Sequence, residues 1–257
     1  MKTQIVIAIA ILAFTEASSR SANLLLNSGF ESNTGNLPNS WTYLAGPDGP
    51  ATLQGTPSSP FININPFGAA SILMTDGATT TVTPNLLQSF TTQTSGILNV
   101  AWDFRLNTKT GSPWAVQIDD AVTAQTKFNM DSAGNFVVEN PLGATTTIMA
   151  LAANTWYQVQ LALDMTNKTL SGSITSQGLV TTPIGSQQWR VTAGSSSINR
   201  VLILDDTLTA AAAGNMLIDN FAVDRTAFAA PTIVPEPSAM LFLGIGGLLA
   251  GVRRRRQ

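Results

Sequence analysis

Gly96-Ile97-Leu98-Asn99-Val100-Ala101-Trp102-Asp103-Phe104-Arg105-Leu106-Asn107 is the stretch that decides the fold. Leu98, Val100, Trp102, Phe104 and Leu106 alternate with Asn99, Ala101, Asp103 and Arg105. A period of two places the first set on one face of a β-strand and the second on the other. The spacing predicts a long strand with one face buried and one wet.

The same alternation returns at Thr155–Met165, where Tyr157, Val159, Leu161, Leu163 and Met165 share a face and Trp156, Gln158 and Gln160 take the other. Shorter strands are expected at Ser71–Thr75, Leu86–Thr91, Lys127–Met130, Asn135–Glu139, Lys168–Thr175, Arg200–Leu204 and Met216–Val223. Trp114, Val116 and Ile118 mark one more, and Leu24 and Leu26 a short one before the Asn27-Ser28-Gly29 turn. Turn residues separate them, as at Asp76-Gly77, Asp131-Ser132-Ala133-Gly134 and Thr166-Asn167. Gly46 to Pro66 is rich in Pro, Gly and Ser and reads as a long surface loop. Ala210–Ala213 is expected to form at most a helical turn. No amphipathic helix is evident, so many short strands predict an all-β, two-sheet sandwich or jelly roll over residues 23–225.

Composition removes several kinds of chemistry. The chain has no Cys and no His, which excludes disulfides, thiol nucleophiles, imidazole bases and most zinc sites. Charged residues are only 11%. The formal charge is −2, and Lys2 and Arg253–Arg256 lie at the two ends. The central domain is therefore more acidic than the whole, which argues against nucleic acid as a partner.

Both ends read as targeting segments. Lys2, the apolar run Ile5–Phe14 and small residues at Ala17-Ser18-Ser19 form a secretory signal peptide over 1–19. Residues 226–233 read as a linker. Then come Val234-Pro235-Glu236-Pro237, an uncharged apolar segment Ala239–Val252, and Arg253-Arg254-Arg255-Arg256. The two prolines fix φ and remove backbone donors, so Glu236 sits on extended chain. Fourteen apolar residues span about 21 Å as helix, short of a bilayer core of about 30 Å. Ser238 and snorkelling arginine stems lengthen that reach. The order of the three parts over 234–257 resembles the PEP-CTERM sorting signal: motif, transmembrane helix and basic tail. That resemblance implies export in a Gram-negative bacterium, an inner-membrane-anchored precursor, and an exosortase, a membrane transpeptidase, as partner.

The central domain carries a second resemblance. Asn154-Thr155-Trp156-Tyr157-Gln158-Val159 with its Asn167 turn, and the closing Leu217-Ile218-Asp219-Asn220-Phe221-Ala222-Val223, are similar to concanavalin-A/laminin-G-like jelly-roll modules. The opening Asn27-Ser28-Gly29-Phe30-Glu31, followed by Trp41, resembles the start of secreted sandwiches, many of them carbohydrate-binding. Related sandwiches hold a structural Ca²⁺ between first and last strands. This implies Glu31 and Asp219 as ligands for an ion that takes six to eight oxygens. A solvated Glu31 and a loop-capping Asp219 are the alternative.

Catalytic residues are hard to find. Glu31 and Glu139 are the only glutamates between the two ends. The Glu-x-Asp-x-x-Glu pattern of catalytic concanavalin-like enzymes is missing, and neighbours such as Asp119-Asp120 or Asp205-Asp206 point to opposite faces of a strand. Trp102, Tyr157, Trp114 and Trp189 fall with core residues by parity. Trp41, Tyr43 and Trp156 remain as platforms on which a sugar ring could stack. The leading reading is an exported, non-catalytic protein of the cell surface or extracellular matrix. The rival is a carbohydrate-binding module for exopolysaccharide, and a glycoside hydrolase comes third.

Overall fold

A computed structural model describes residues 23–34, 37–44, 52–54, 57–65, 68–76, 85–108, 113–192, 197–206 and 214–234. The expected signal peptide, the Ala210–Ala213 turn, Pro235–Pro237, the apolar segment and Arg253–Arg256 lie outside the described residues. Among the described residues no helix is long and apolar enough to cross a membrane.

The strands in chain order are β1 (Asn33–Thr34), β2 (Leu37–Pro38), β3 (Thr42–Leu44), β4 (Thr52–Gln54), β5 (Ser71–Asp76) and β6 (Asn85–Gln93). The long central strand is β7 (Ile97–Leu106), followed by β8 (Trp114–Asp119), β9 (Ala124–Met130), β10 (Asn135–Glu139) and β11 (Thr145–Ala150). The last are β12 (Trp156–Asp164), β13 (Thr169–Ser176), β14 (Thr181–Gln188), β15 (Ile198–Asp205) and β16 (Gly214–Asp224). Two seven-stranded sheets hold most of them, ordered β11-β10-β9-β8-β15-β6-β3 and β14-β13-β12-β7-β16-β5-β4. Their pairings are all antiparallel. The chain is a jelly-roll sandwich, as the alternation predicts.

The β7 alternation gives the buried face as read, but the other face is not wet as expected, for Ala101 and Asp103 are fully buried and Asn99 nearly so. Leu98, Val100, Trp102 and Phe104 are all fully buried between the sheets, where Val159 of the same sheet and Trp114, Val116, Phe128 and Phe136 of the facing sheet fill the same core. Rings run through this core as a chain. Phe30 lies 5.1 Å from Trp41, Trp41 lies 6.0 Å from Phe221, and Phe221 stacks on Trp102 at 5.6 Å. From Trp102 the chain continues through Phe128, Phe136 and Phe104 to Tyr157. Trp189 is also buried, its indole N–H donating to the Thr169 carbonyl at 3.0 Å.

Three expectations are corrected. Leu24–Leu26 is not a strand: Leu25, not its neighbours, is the buried residue, and Leu26 is 66% exposed. The expected surface loop at Gly46–Pro66 contains β4 and buries Phe61, and the edge strands β11 and β14 lack the apolar alternation that would disclose them. Residues 226–233 are not a free linker but lie against the domain, as described below.

Trp102 has no exposure and touches rings on both sheets. Trp102→Ala should lower unfolding free energy by about 3–5 kcal/mol, as for other large core truncations. Denaturant titration checks this, and a loss below about 1 kcal/mol would contradict the packing.

Candidate functional site

The outer face of the β12-β7-β16 sheet is where polar chemistry collects. Parity sends Asp103 of β7 to this face, and Asp219 of β16 stands directly opposite it in register. A bulge then intervenes, for the register shifts between Asp219 and Ala222 and Asn220 adopts a φ of 51°. The extra residue lets Asn220 join Asp219 on the outer side while Phe221 turns back into the aromatic chain. Asp103 Oδ2 accepts from the Ser59 hydroxyl at 2.6 Å and from Asn220 Nδ2 at 2.7 Å, and its Oδ1 accepts from Gln158 Nε2 at 2.8 Å. Asp219 accepts from the backbone N–H of Ser59 at 2.9 Å and of Asn220 at 2.7 Å.

Two segments cover this cluster. One is the 57–65 loop; the other is the chain leaving β16. They pair with each other: Ile62 N donates to Thr232 O at 2.9 Å, and Val234 N donates to Pro60 O at 3.1 Å, flanking the Phe61–Ile233 bridge. Gln160 Nε2 and Asn63 Nδ2 both donate to Ala229 O, at 2.9 and 3.1 Å. Beneath them Phe61, Trp156 and Leu217 form a small apolar cluster with Ile233 packed against it.

Burial dominates the electrostatics. It pushes Asp103 up from 3.8 to about 7, although its three hydrogen bonds favour the charged form. Asp219 is held well above its usual value, first by burial, then by the charges of Asp103 and Glu31, against the bonds from Ser59 and Asn220.

The residues singled out from sequence fall as follows. Trp41 is buried against Phe30 and Phe221, and Tyr43 is half-buried against the core. Trp156 does point to the outer face, but it is only 4% exposed, because the loop and the trailing chain lie over it. Neither indole presents a flat face to solvent, so the expectation of open sugar platforms at Trp41 and Trp156 is corrected. Asp119 is held by Arg200 through two bonds of 2.7 and 2.8 Å, and Asp120 caps the turn at Val122 and Thr123.

Glu31 and Asp219 are brought close enough for the charge of one to act on the other. Glu31 Oε1 accepts from the N–H groups of Ala69 and Ala70 at 2.8 and 3.1 Å. Beside Asp219, Asn220 Oδ1 is buried without a hydrogen-bond partner. Among the described residues, no group of three or more His, Cys, Asp or Glu is placed to hold a metal. Two carboxylates and an orphaned amide oxygen are oxygen donors of the kind that calcium takes. Sequence reasoning missed Asp103, Ser59, Gln158 and Asn220; the Asp-Asn pair before an inward-turning Phe was the available signal.

Val234, at the end of the trailing chain, opens the stretch 234–256 that matches the PEP-CTERM protein-sorting motif. The chain carries a sorting signal. The protein is thereby an exported one, processed at the membrane as an exosortase substrate. A search of curated proteins finds no match. Among solved structures, one described as a sialidase superposes with a TM-score of 0.58 at 13% identity, over 80% of this chain and 18% of that one. This chain thus spans under a fifth of the sialidase's length. The catalytic domain of a glycoside hydrolase family 131 protein from Coprinopsis cinerea gives 0.46 at 14% identity, covering 66% and 75% of the two chains. Arcelin-5, a lectin-like defence protein from Phaseolus vulgaris, gives 0.45 at 9% identity, covering 76% and 100%. At such identities the likeness is one of fold.

The raised Asp103 fixes a pH dependence. The folded state keeps its proton up to about pH 7, whereas the unfolded chain loses it near 3.8. The folded state binds the extra proton in between, so stability falls as pH rises from about 4 to 7 and then levels. Asp219, also raised, acts in the same direction. Urea titrations across this range should show that fall, and Asp103→Asn should flatten it. Stability that rises between pH 5 and 7 in the parent protein would contradict the assignment.

Proposed function

We propose that this protein is a non-catalytic domain displayed at the cell surface or in the extracellular matrix, delivered there by its Pro-Glu-Pro tail. The match at 234–256 carries the reading. Two features of the domain support it. The facing carboxylates Asp103 and Asp219 are sealed beneath the 57–65 loop and the trailing chain, where a substrate has no path to them. The aromatic side chains that would hold a sugar at 41 and 156 are packed against protein.

In this reading Pro235 and Pro237 hold Glu236 on a rigid, extended backbone, which lowers the ordering cost for the processing enzyme. The apolar segment and Arg253–Arg256 hold the precursor in the inner membrane until the tail is cut. In a host that contains an exosortase, Glu236→Ala should leave the protein exported yet full-length, while the parent protein is shortened. Intact-mass measurement of both distinguishes the outcomes. A shortened Glu236→Ala protein, or a parent protein that still ends at Gln257, would refute the role of the motif.

We also propose a structural Ca²⁺ held by Glu31, Asp219 and the Asn220 amide oxygen. It would sit between the Glu31 charge and Asp219, whose proton affinity burial and the neighbouring charges raise. A ligand that binds only the folded state raises the melting temperature with concentration. Millimolar Ca²⁺ should therefore raise the melting temperature by several degrees over a chelator-treated sample, and Glu31→Gln should abolish the gain. An equal response of both proteins, or none, would remove the ion from the account.

A further inference from the structure

The β13–β14 hairpin ends in a tip that is unusual for an exposed turn. Leu179 is 49% exposed and Val180 68% exposed. Leu179 also adopts a φ of 59°, in the left-handed region that a leucine rarely enters. The turn is closed by backbone bonds, Leu179 N to Ser176 O at 2.8 Å and Ser176 N to Val180 O at 3.0 Å, so both side chains are held outward. Between Lys168 and Arg190 the sequence has no charged residue at all. The hairpin is therefore an uncharged finger with an apolar end.

Its position relative to the sorting signal makes this informative. The trailing chain leaves β16 at Asp224, which is paired with Asn99 at one end of β7. It crosses the outer face past Gln160 and brings Ile233 onto Trp156, which is paired with Arg105 at the other end of β7. The hairpin tip meets the same residue: Gln177 N donates to Trp156 O at 2.8 Å, and Trp156 N donates to Gln177 Oε1 at 3.0 Å. Leu179-Val180 and the exit of the chain at Val234, itself 53% exposed, thus flank one residue at one end of the sandwich.

Apolar exposure alone does not choose that end. Val122 and Leu142 are even more exposed, at 90% and 104%. They sit at the opposite end, since β10 pairs Asn135 with Ala150, and Ala150 leads directly to Trp156, whereas Leu142 follows the far end of β10. Val122 follows Asp119 and Asp120, and Leu142 follows Glu139. Carboxylates occur at both ends, since Asp131 closes the β9–β10 turn and Asp205 and Asp206 end β15 on the Trp156 side, so charge does not choose the end either. What distinguishes the Trp156 end is the uncharged finger together with the exit of the chain at Val234, which opens the segment processed at the membrane.

We propose that Leu179 and Val180, with Val234, form a membrane-interface contact of the precursor. Three apolar side chains are too few to bind a bilayer alone, but on a tethered domain they need only orient it. The contact seats the domain with its Trp156 end towards the bilayer, so that Val234 faces the membrane side. The chain has no cysteine, so a single introduced cysteine is a unique labelling site. Full-length Val180→Cys and Val122→Cys proteins, each labelled with an environment-sensitive fluorophore, are reconstituted into phosphatidylethanolamine/phosphatidylglycerol vesicles and recovered by flotation. At position 180 the emission should shift to the blue on reconstitution, and nitroxide-bearing lipids should quench it several-fold more than at position 122. Quenching that is equal at the two positions, or absent at 180 in floated protein, would overturn the proposal. Both sites are exposed turn positions, and matching melting temperatures show that the label has not altered the fold.

Discussion

Between Asp219 and Ala222 the last strand carries more chain than its neighbour β7 opposes, and two otherwise separate parts of the molecule depend on that bulge. Without it, strict alternation after Asp219 would send Asn220 inward and Phe221 outward. With it, Phe221 lies between Trp41 and Trp102 and joins the N-terminal Phe30 to the central core. Asn220 instead donates to Asp103 on the outer face, beside Asp219. Two facing carboxylates out of water are costly on burial and on like charge. A raised proton affinity at Asp103 and a ring of donors offset that cost, and one donor, Ser59, belongs to the loop that closes over them. The cover is thus part of the solution to a problem that the strands create.

That cover explains what the sequence did and did not disclose. Parity in β7 and β12 assigned Trp102, Phe104, Tyr157 and Val159 to the core correctly, because both strands lie in the middle of a sheet packed on another. Parity also assigned Trp156, Gln158 and Asp103 to the opposite side correctly. It could not say what lay on that side. The 57–65 loop and the chain after β16 are rich in Pro, Ser, Asn, Ala and Thr, a composition that reads as surface despite Phe61 and Ile233, and the backbone bonds that pair them are nothing composition reports. The bulge was equally silent, since Asp219-Asn220 reads as a turn or a ligand pair. The tail was the most legible part, because its three segments differ so sharply in chemistry. β14, with Thr181-Thr182-Pro183 at its start, shows the reverse: an edge strand needs neither alternation nor a full set of donors.

The trailing chain also connects the domain to its delivery. It arrives at Val234 already bonded to Pro60, so the sorting motif begins at the domain surface and not at the end of a loose spacer. A processing enzyme therefore meets a motif whose upstream side is fixed in direction, and the apolar hairpin tip lies beside it. On this account the sandwich contributes placement: it brings the chain to Val234 at a defined end, beside an uncharged hairpin.

The central claim is that residues 226–234 belong to the fold. Amide hydrogen exchange of the full-length protein tests it most directly, read at Ile62 and Val234, whose N–H groups bond across the two covering segments. Exchange slowed at both amides by several orders of magnitude, and slowed together, is the expected result, since both bonds break only when the cover lifts. Exchange at the rate of an unstructured chain at Val234, with β7 still protected, would show that the trailing chain is a free linker and would contradict the account.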